Sequence, residues 1–472
     1  MVILEERINE EERNFVAKVL EQVKYKKIHS YISNEIQDHI ECLRQDYEDV
    51  GMSKKEAYHK AIEQMGDAEE VGKQLHNQHK PEIEWSILGL MSSLVIIGLI
   101  VLSSITKAYL GLNDECTAYV TNKRLMANAC ERQLLFIGIG ILFFCLLYRL
   151  DYTKLKKYSH LIYLFGILVL IVTKEFGVMF QGYNRCLNVA GQLIDMTAFI
   201  TLLLMIGSVG ITMESLEKGR LIKVISIIMF ILTFLIIINL GLSHGLQLLI
   251  IWSSIATLTI LSKRYTKNKK EALALLFGAY GIVIVCGILC FIFFGQEYQK
   301  HRLMNVVQQV VNAQPINYTA ERKFDILSGA KLIGDSNLDI IGRLSDNIYK
   351  DYIFIYVIGK WGYLVGIGMM GIILTLIIRI WKAGIRLKDC YGRILYFTIA
   401  SLFTIRIGMN VIECFGVVTI TSTYLPFISY DYSYIMMDIA MMGLLLGIYR
   451  RKNLIIDYTS KEAIPCELIK SY

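Results

Sequence analysis

Lys350-Asp351-Tyr352-Ile353-Phe354 sets a single carboxylate where a long polar stretch, Gln296–Lys350, runs into an apolar one. At the mouth of an apolar helix bundle the charged form of an acid is disfavoured, and an acid with a raised pKa suits proton abstraction from an attacking hydroxyl. The same residue also fits as a helix N-terminal acid favoured by the macrodipole. Arg302, Arg322, Lys323, Lys331, Arg343 and Lys350 put positive charge on this stretch, the means to stabilise an anionic leaving group. Taken singly, each of them reads as a solvated loop cation. Further on, Arg406, Asn410 and Glu413 fall at i, i+4 and i+7 of an apolar run, one stripe of a helix. Ionisable groups at that depth face a cavity or each other, and Lys360 and Asp438 in neighbouring runs are candidate partners. The stripe fits three uses: a floor under an anionic group, an ion-pair network between spans, or a polar path across a membrane. His244 reads as a plain loop residue.

The elements that must position these groups are membrane helices. A 54% hydrophobic fraction with repeated apolar runs of about 20 residues exceeds what a soluble core needs. Ten apolar segments can be placed: Trp85–Ile105, Leu134–Leu150, His160–Val172, Ile194–Met213, Leu221–Leu240, Leu246–Leu261, Ala272–Phe294, Tyr352–Trp381, Ile394–Ile420 and Ile435–Tyr449. The third is short and the eighth long, so a kink, tilt or shifted end is expected there. The fold expected is all-α, a polytopic bundle of about ten transmembrane helices behind a small soluble helical domain. Its domains are residues 1–81, a membrane domain over 82–452 with an outer loop at 296–350, and a tail over 453–472. The first apolar run begins near Trp85, so no cleavable signal peptide is expected.

Lys and Arg cluster after the second, fourth, sixth, eighth and tenth segments and are missing after the fifth and ninth. The positive-inside rule then puts both termini in the cytoplasm and Gln296–Lys350 outside. These basic loops account for most of the +7 net charge, so no nucleic-acid partner is implied. Ten cysteines without a CxxC pair argue against a zinc site. Cys116 and Cys130 share an outer loop, and the spacing leaves a disulfide and two free thiols equally open.

Residues before Pro81 are charged and helical in pattern. Ser53-Lys-Lys-Glu56 is a capping box, and Asp67-Ala-Glu-Glu70 repeats the device after Gly66, a helix terminator. Ala57, Ala61, Ile62 and Met65 line one face of the helix between. With Glu35-Ile-Gln-Asp-His-Ile and Gly51, this segment resembles the permease prefix domain of Gram-positive membrane proteins. The resemblance implies a cytoplasmic docking or regulatory module with an unidentified partner.

The membrane part carries Asn410, Gly416 and Leu425-Pro426-Phe427-Ile428-Ser429-Tyr430 in an Asn-x5-Gly-x9-Pro-Phe-Ile-Ser-Tyr spacing. It resembles the penultimate helix and following loop of the FtsW/RodA/SpoVE (SEDS) family, membrane enzymes that polymerise peptidoglycan from lipid II. Tyr318, Leu327, Gly329, Leu332 and Gly334 fall in register with the family's outer loop, and Arg302-Leu303 with its Arg-Leu. Lys350-Asp351-Tyr352-Ile353-Phe354, then Gly362-Tyr363-Leu364-Val365-Gly366, match Thr-Asp-Phe-Ile-Phe and its following glycines.

That resemblance implies a glycosyltransferase with Asp351 as base, substrate contacts from Arg185, Arg302, Lys331, Arg343, Lys350, Ser429 and Tyr430, and a penicillin-binding transpeptidase as partner. A divalent cation, Mg or Mn, is an alternative to side-chain cations for the pyrophosphate, and its ligands are unknown. The chain departs from the family pattern at several places. Cys186 stands for a tryptophan, and Asp195-Met196-Thr197-Ala198 stands for Gln-Pro-x-Glu. Gly241-Leu242-Ser243-His244-Gly245 replaces Gln-Pro-Asp-x-Gly, Tyr430-Asp431-Tyr432-Ser433-Tyr434 replaces Tyr-Gly-Gly-Ser-Ser, and Gly359-Lys360 replaces paired glutamates. These departures keep two other readings open: a non-catalytic scaffold or regulator, and a lipid II flippase.

Overall fold

The computed structural model describes residues 2–111, 126–180, 183–189, 191–217, 242–261, 318–344, 348–415 and 423–453, with isolated positions at 227–233 and 270–278. The chain divides into two units, Met1–Ile83 with Tyr449–Tyr472, and Glu84–Ile448.

The first unit is built from α1 (Val2–Gln22), α2 (His29–Asp49), α3 (Lys54–Gln64) and α4 (Ala68–Gln78). Its core takes one apolar stripe from each, Val19, Ile32, Ile36, Ile40 and Ala61 among them. The Ser53–Glu56 capping box forms in both directions at the start of α3, and Asp67 caps α4 through the Glu70 amide. Gly66 between them adopts φ +82°, the left-handed conformation a glycine takes at no steric cost. Lys452 beyond the last helix pairs with Glu82 at 2.6 Å.

The second unit is a helix bundle. Among the described residues seven of its helices are long and apolar enough to cross a membrane. Six of these are α5 (Trp85–Leu110), α6 (Ala129–Arg149), α8 (Ser159–Phe176), α9 (Thr197–Glu217), α14 (Tyr363–Ile385) and α15 (Cys390–Cys414). The seventh, α16 (Tyr432–Arg450), extends to the boundary with the first unit. A short helix α7 (Tyr152–Lys157) precedes α8, and α10 (Leu242–Leu261) adds a helix whose apolar part is the shorter stretch Gln247–Leu261. The bundle is layered: 89% of the apolar window of α16 is buried against 22% in α6, so α16 is central and α6 peripheral. The expected fifth and seventh spans fall largely outside the described residues, as does Cys116. Cys130 Sγ lies 3.9 Å from Thr106 Oγ1.

Three expectations about the elements are refined or corrected. First, the kink expected in the long eighth span is a full break at Gly362, which divides it into α13 (Ile353–Trp361) and α14. Gly362 has φ +94°, and a Cβ there would sit 2.7 Å from the Leu332 carbonyl oxygen. The strand-like segment 331–336 crosses this break. Gly334 and Ser336 donate their amides to the Trp361 and Gly359 carbonyls, while Tyr363 and Leu364 donate to Lys331 and Leu332. The polar ends that a break exposes are satisfied in this way.

Second, residues after α8 form a three-stranded antiparallel sheet, β1 (Val178–Phe180), β2 (Tyr183–Val189) and β3 (Gln192–Asp195). Ile194 and Asp195 therefore lie in a strand rather than in the fourth span. Third, His244 is no loop residue: it sits in the first turn of α10 and is buried. Two more helices, α11 (Tyr318–Gly329) and α12 (Ile340–Arg343), come from the segment expected as the outer loop.

Candidate functional site

The site grows from the turn Tyr349-Lys350-Asp351, which enters α13, and from the loop that leads into α16. In that loop Ile428 donates its amide to the Leu425 carbonyl at 3.3 Å. Pro426 and Phe427 thus occupy the two central positions of a tight turn. Phe427 has φ +67°, a left-handed conformation that disfavours a side chain by about 1–2 kcal/mol. Its surroundings hold it there. The Phe427 ring lies 5.3 Å from that of Phe403, and its amide donates to the Asp438 carboxylate. Gly98 on α5 admits the loop, because a Cβ there would meet the Ile428 Cα at 2.9 Å.

The loop grips the Asp351 turn through its backbone. Ser429 Oγ donates to the Lys350 carbonyl at 2.6 Å while accepting the Leu425 amide at 3.0 Å. Tyr430 donates its amide to the Tyr349 carbonyl at 2.9 Å. From α15, Asn410 Nδ2 donates to the carbonyls of Asp351 at 2.9 Å and Thr423 at 2.6 Å. Glu413 Oε2 accepts the Thr423 amide and hydroxyl, each at 3.2 Å. Arg406 pairs with Asp438 at 2.7 Å, both almost fully buried. The α15 stripe is therefore a scaffold for two chain segments, and every member is engaged.

Asp351 itself is 1% exposed. Close to it lies Lys323 of α11, equally buried, whose Nζ donates to the Glu413 carbonyl at 2.9 Å and lies 3.9 Å from the Tyr352 ring centre. Burial pulls the Lys323 ammonium below its ordinary pKa, with the negative charges of Glu413, Cys414 and Asp351 opposing the shift.

Beside this clasp is a cavity of about 130 Å³, lined by Arg132, Cys186, Asp195, Lys350, Tyr430, Asp431 and Tyr432 among others. Cys186 and Asp195 face it together because β2 and β3 pair them directly. Asp195 pairs with Arg185 at 3.4 Å and takes the Thr197 amide at 3.0 Å. Asp431 lies 3.5 Å from Lys350 and caps α16 by accepting the amides of Ser433 and Tyr434. Burial raises the Asp431 pKa, with Lys350 working against the rise and Asp195 adding to it. Burial also pushes the Cys186 thiol up to about 12.

The anticipated site residues thus separate. Asp351, Lys350, Ser429, Tyr430, Asn410 and Glu413 come together in the clasp, with Arg406 and Asp438 behind it. Arg185 joins at the cavity through Asp195. Lys360 does not belong to the buried network: it is half-exposed and pairs with Asp335 in the segment crossing the Gly362 break. It sits in the last turn of α13, away from the α15 stripe, which takes Asp438 instead. Lys331 is exposed, and its carbonyl accepts the Tyr363 amide. Arg302 and the Arg343 side chain lie outside the described residues.

Sequence reasoning passed over Arg132, met Asp195 and Asp431 only as departures from the family pattern, and read Lys323 as a solvated loop cation. Lys323 had one legible signal. It shares a helix face with Ile326, three residues on and fully buried, so a solvated position was the wrong assignment. Among the described residues no three His, Cys, Asp or Glu side chains converge into a metal cage.

The profile of the FtsW/RodA/SpoVE cell cycle protein family matches residues 84–454. The chain belongs to this family. Stage V sporulation protein E of Bacillus subtilis is 22% identical over 341 residues, 68% of this chain and 86% of that protein. A probable peptidoglycan glycosyltransferase FtsW of Wigglesworthia glossinidia brevipalpis is 23% identical over 349 residues, 72% of this chain and 86% of its own length. Among solved structures, a chain from a peptidoglycan synthase complex coordinating polymerization and crosslinking aligns with TM-score 0.58 at 17% identity. The alignment covers 78% of this chain and 98% of that one. Thermus thermophilus rod shape determining protein RodA aligns with TM-score 0.52 at 15% identity, covering 78% and 97%. At these identities the structural likeness establishes the fold alone; the family match and seven apolar helices among the described residues make the chain a multi-pass membrane protein. The clasp is where the family spacing lives: Asn410, Ser429 and Tyr430 all bind the backbone of residues 349–351.

Proposed function

We propose that the chain is a peptidoglycan glycosyltransferase that polymerises lipid II at the outer face of the cytoplasmic membrane. One observation carries this reading. Motif residues separated by 59 to 81 positions from their targets, Asn410, Ser429 and Tyr430, close on the turn that presents Asp351. Such a clasp gives a reacting group the fixed geometry that catalysis requires. In the reaction, the 4-hydroxyl of the incoming GlcNAc attacks the anomeric carbon of the growing chain. Its proton passes to the Asp351 carboxylate, a carbon–oxygen bond forms, and the bond to the lipid pyrophosphate breaks with the electron pair leaving on the phosphate. Lys350 and Arg132 supply cations at the adjacent cavity, and Arg185 stands behind Asp195.

A bound Mg or Mn would supply further charge neutralisation at the pyrophosphate. The two cavity carboxylates, Asp195 and Asp431, are already paired with cations, so we assign it no protein cage. The proposed orientation, with both termini in the cytoplasm and the 296–350 segment outside, follows the positive-inside rule applied to the basic loops. A single-span penicillin-binding transpeptidase is the proposed partner for crosslinking, with a cytoplasmic partner of unknown identity for the helical prefix.

A second reading, a non-catalytic scaffold, draws on the near-complete burial of Asp351 and on its absence from the cavity lining. A lipid II flippase receives less support, because the α15 stripe is fully engaged with protein. Purified protein incubated with labelled lipid II, with and without the transpeptidase, in Mg, Mn or EDTA, tests these readings. Glycan ladders are expected, and EDTA is expected to slow them. No ladders from folded protein under any of these conditions would favour the scaffold.

A further inference from the structure

Lys323 is a buried charged group beside the site that packing does not explain. Its position on α11 is apolar in context, with Ile326 one turn on and fully buried, and an aliphatic side chain would fill the same space. An ammonium withdrawn from water persists only where charge and hydrogen bonds replace its hydration. Here these come from the Glu413 carbonyl at 2.9 Å, the Tyr352 ring face at 3.9 Å, and the negative groups Glu413, Cys414 and Asp351. Glu413 and Cys414 face it from α15, Asp351 and Tyr352 from the turn into α13. Cys414 in turn lies against the Asp351 carbonyl at 3.6 Å. Of the groups that stabilise Lys323, Asp351 and Tyr352 belong to the turn into α13 and Cys414 touches it, while Glu413 holds the Thr423 segment beside it.

We propose that Lys323 is a positioning residue for Asp351: its ammonium, carried in from α11, supplies the counter-charge of the Asp351 carboxylate and ties the 318–329 helix over the clasp. The kinetic half of this inference rests on the base role of Asp351 proposed above; the electrostatic half does not. Removing the cation makes the carboxylate harder to ionise, because an opposite charge nearby favours the charged form. A base must be ionised to accept a proton, so the acidic limb of the pH–rate profile moves to higher pH, and activity lost at neutral pH returns at alkaline pH.

The test compares wild type with Lys323→Met, Lys323→Gln and Lys323→Arg in the full-length protein, each shown to be folded and monodisperse. Lys323→Gln keeps a donor for the Glu413 carbonyl and removes only the charge, which guards against a packing failure in the Met variant. The first readout is infrared titration of protonated carboxyl bands, with the Asp351 band assigned by its loss in Asp351→Asn. In both neutral variants that band is expected to titrate about one pH unit or more higher than in wild type, and in Lys323→Arg at the wild-type pH. The second readout is lipid II polymerisation across the same pH range, where kcat falls about tenfold at neutral pH with KM little changed. A band shift without any polymerisation by wild type upholds the Lys323 contact and refutes the proposed function. An Asp351 band that titrates identically in wild type and both neutral variants overturns the inference, whatever the activity.

Discussion

The clasp around Asp351 and the cavity beside it are built in different ways. The clasp is made of backbone acceptors met by Asn410, Ser429 and the Tyr430 amide, all at positions where the chain keeps the family spacing. The cavity takes part of its wall from side chains at positions where it departs, Cys186, Asp195, Asp431 and Tyr432, beside Lys350. Those departures also compensate one another. Lys350 faces Asp431, and Asp195 faces Arg185 and donates its amide to Ser433 Oγ. A framework that positions a reacting group tolerates little change, because its hydrogen bonds fix distances. A pocket wall can be rewritten if each buried charge gains a partner. The difference teaches that the altered polar positions here form a rebuilt wall around a retained framework, rather than scattered loss.

The comparison can be broken first at its foundation. Arg406→Met leaves the Asp438 carboxylate buried without its cation and the Phe427 turn on a weakened support. A loss of about 3–5 kcal/mol in unfolding free energy is expected from denaturation in detergent. If Arg406→Met with Asp438→Leu restores most of that stability, the pair serves to hold the loop and not to carry ions. Asn410→Ala comes next, stranding two buried carbonyls, with about 2–4 kcal/mol expected and a fall in kcat larger than the change in KM. An unchanged kcat would detach the clasp from catalysis.

Asp431 sharpens the contrast from the cavity side. Its folded pKa is raised, so between the ordinary aspartate value and the raised one the folded protein binds more protons than the unfolded. The stability Asp431 confers is therefore fully present below about pH 4 and lost as the pH rises through the folded value. Asp431→Asn keeps an oxygen for the α16 cap and should flatten that part of the stability–pH curve relative to wild type. A curve with the same slope in both would place the titration elsewhere. The smallest effect belongs to Lys360→Gln, which removes a half-exposed pair and should cost no more than about 0.5 kcal/mol by the same unfolding measurement.

Much of the architecture was legible because apolar run length and capping chemistry are local. The Ser53–Glu56 box, the Gly66 terminator and seven spans all follow from residues within a turn or a helix of each other. Legibility failed where geometry depends on distant chain. The break at Gly362 needs the 331–336 segment to lie across it, and the sheet at 178–195 was hidden inside what read as a loop and the start of a span. Of the site, the α15 stripe was readable from helical spacing, while its true partners were not. Asp438 was one of two candidates, and Lys360, the other, turned out to serve Asp335. Lys323 escaped because charge outweighed periodicity in the reading of its helix.

The most direct test of the central claim is polymerisation of labelled lipid II by purified wild type, Asp351→Asn and Asp431→Asn, each verified as folded. The account predicts ladders from wild type, a loss of about 10²–10⁴-fold in Asp351→Asn, and a far smaller change in Asp431→Asn. Ladders at the wild-type rate from Asp351→Asn, with loss in Asp431→Asn, would contradict it and move the base from the clasp to the cavity.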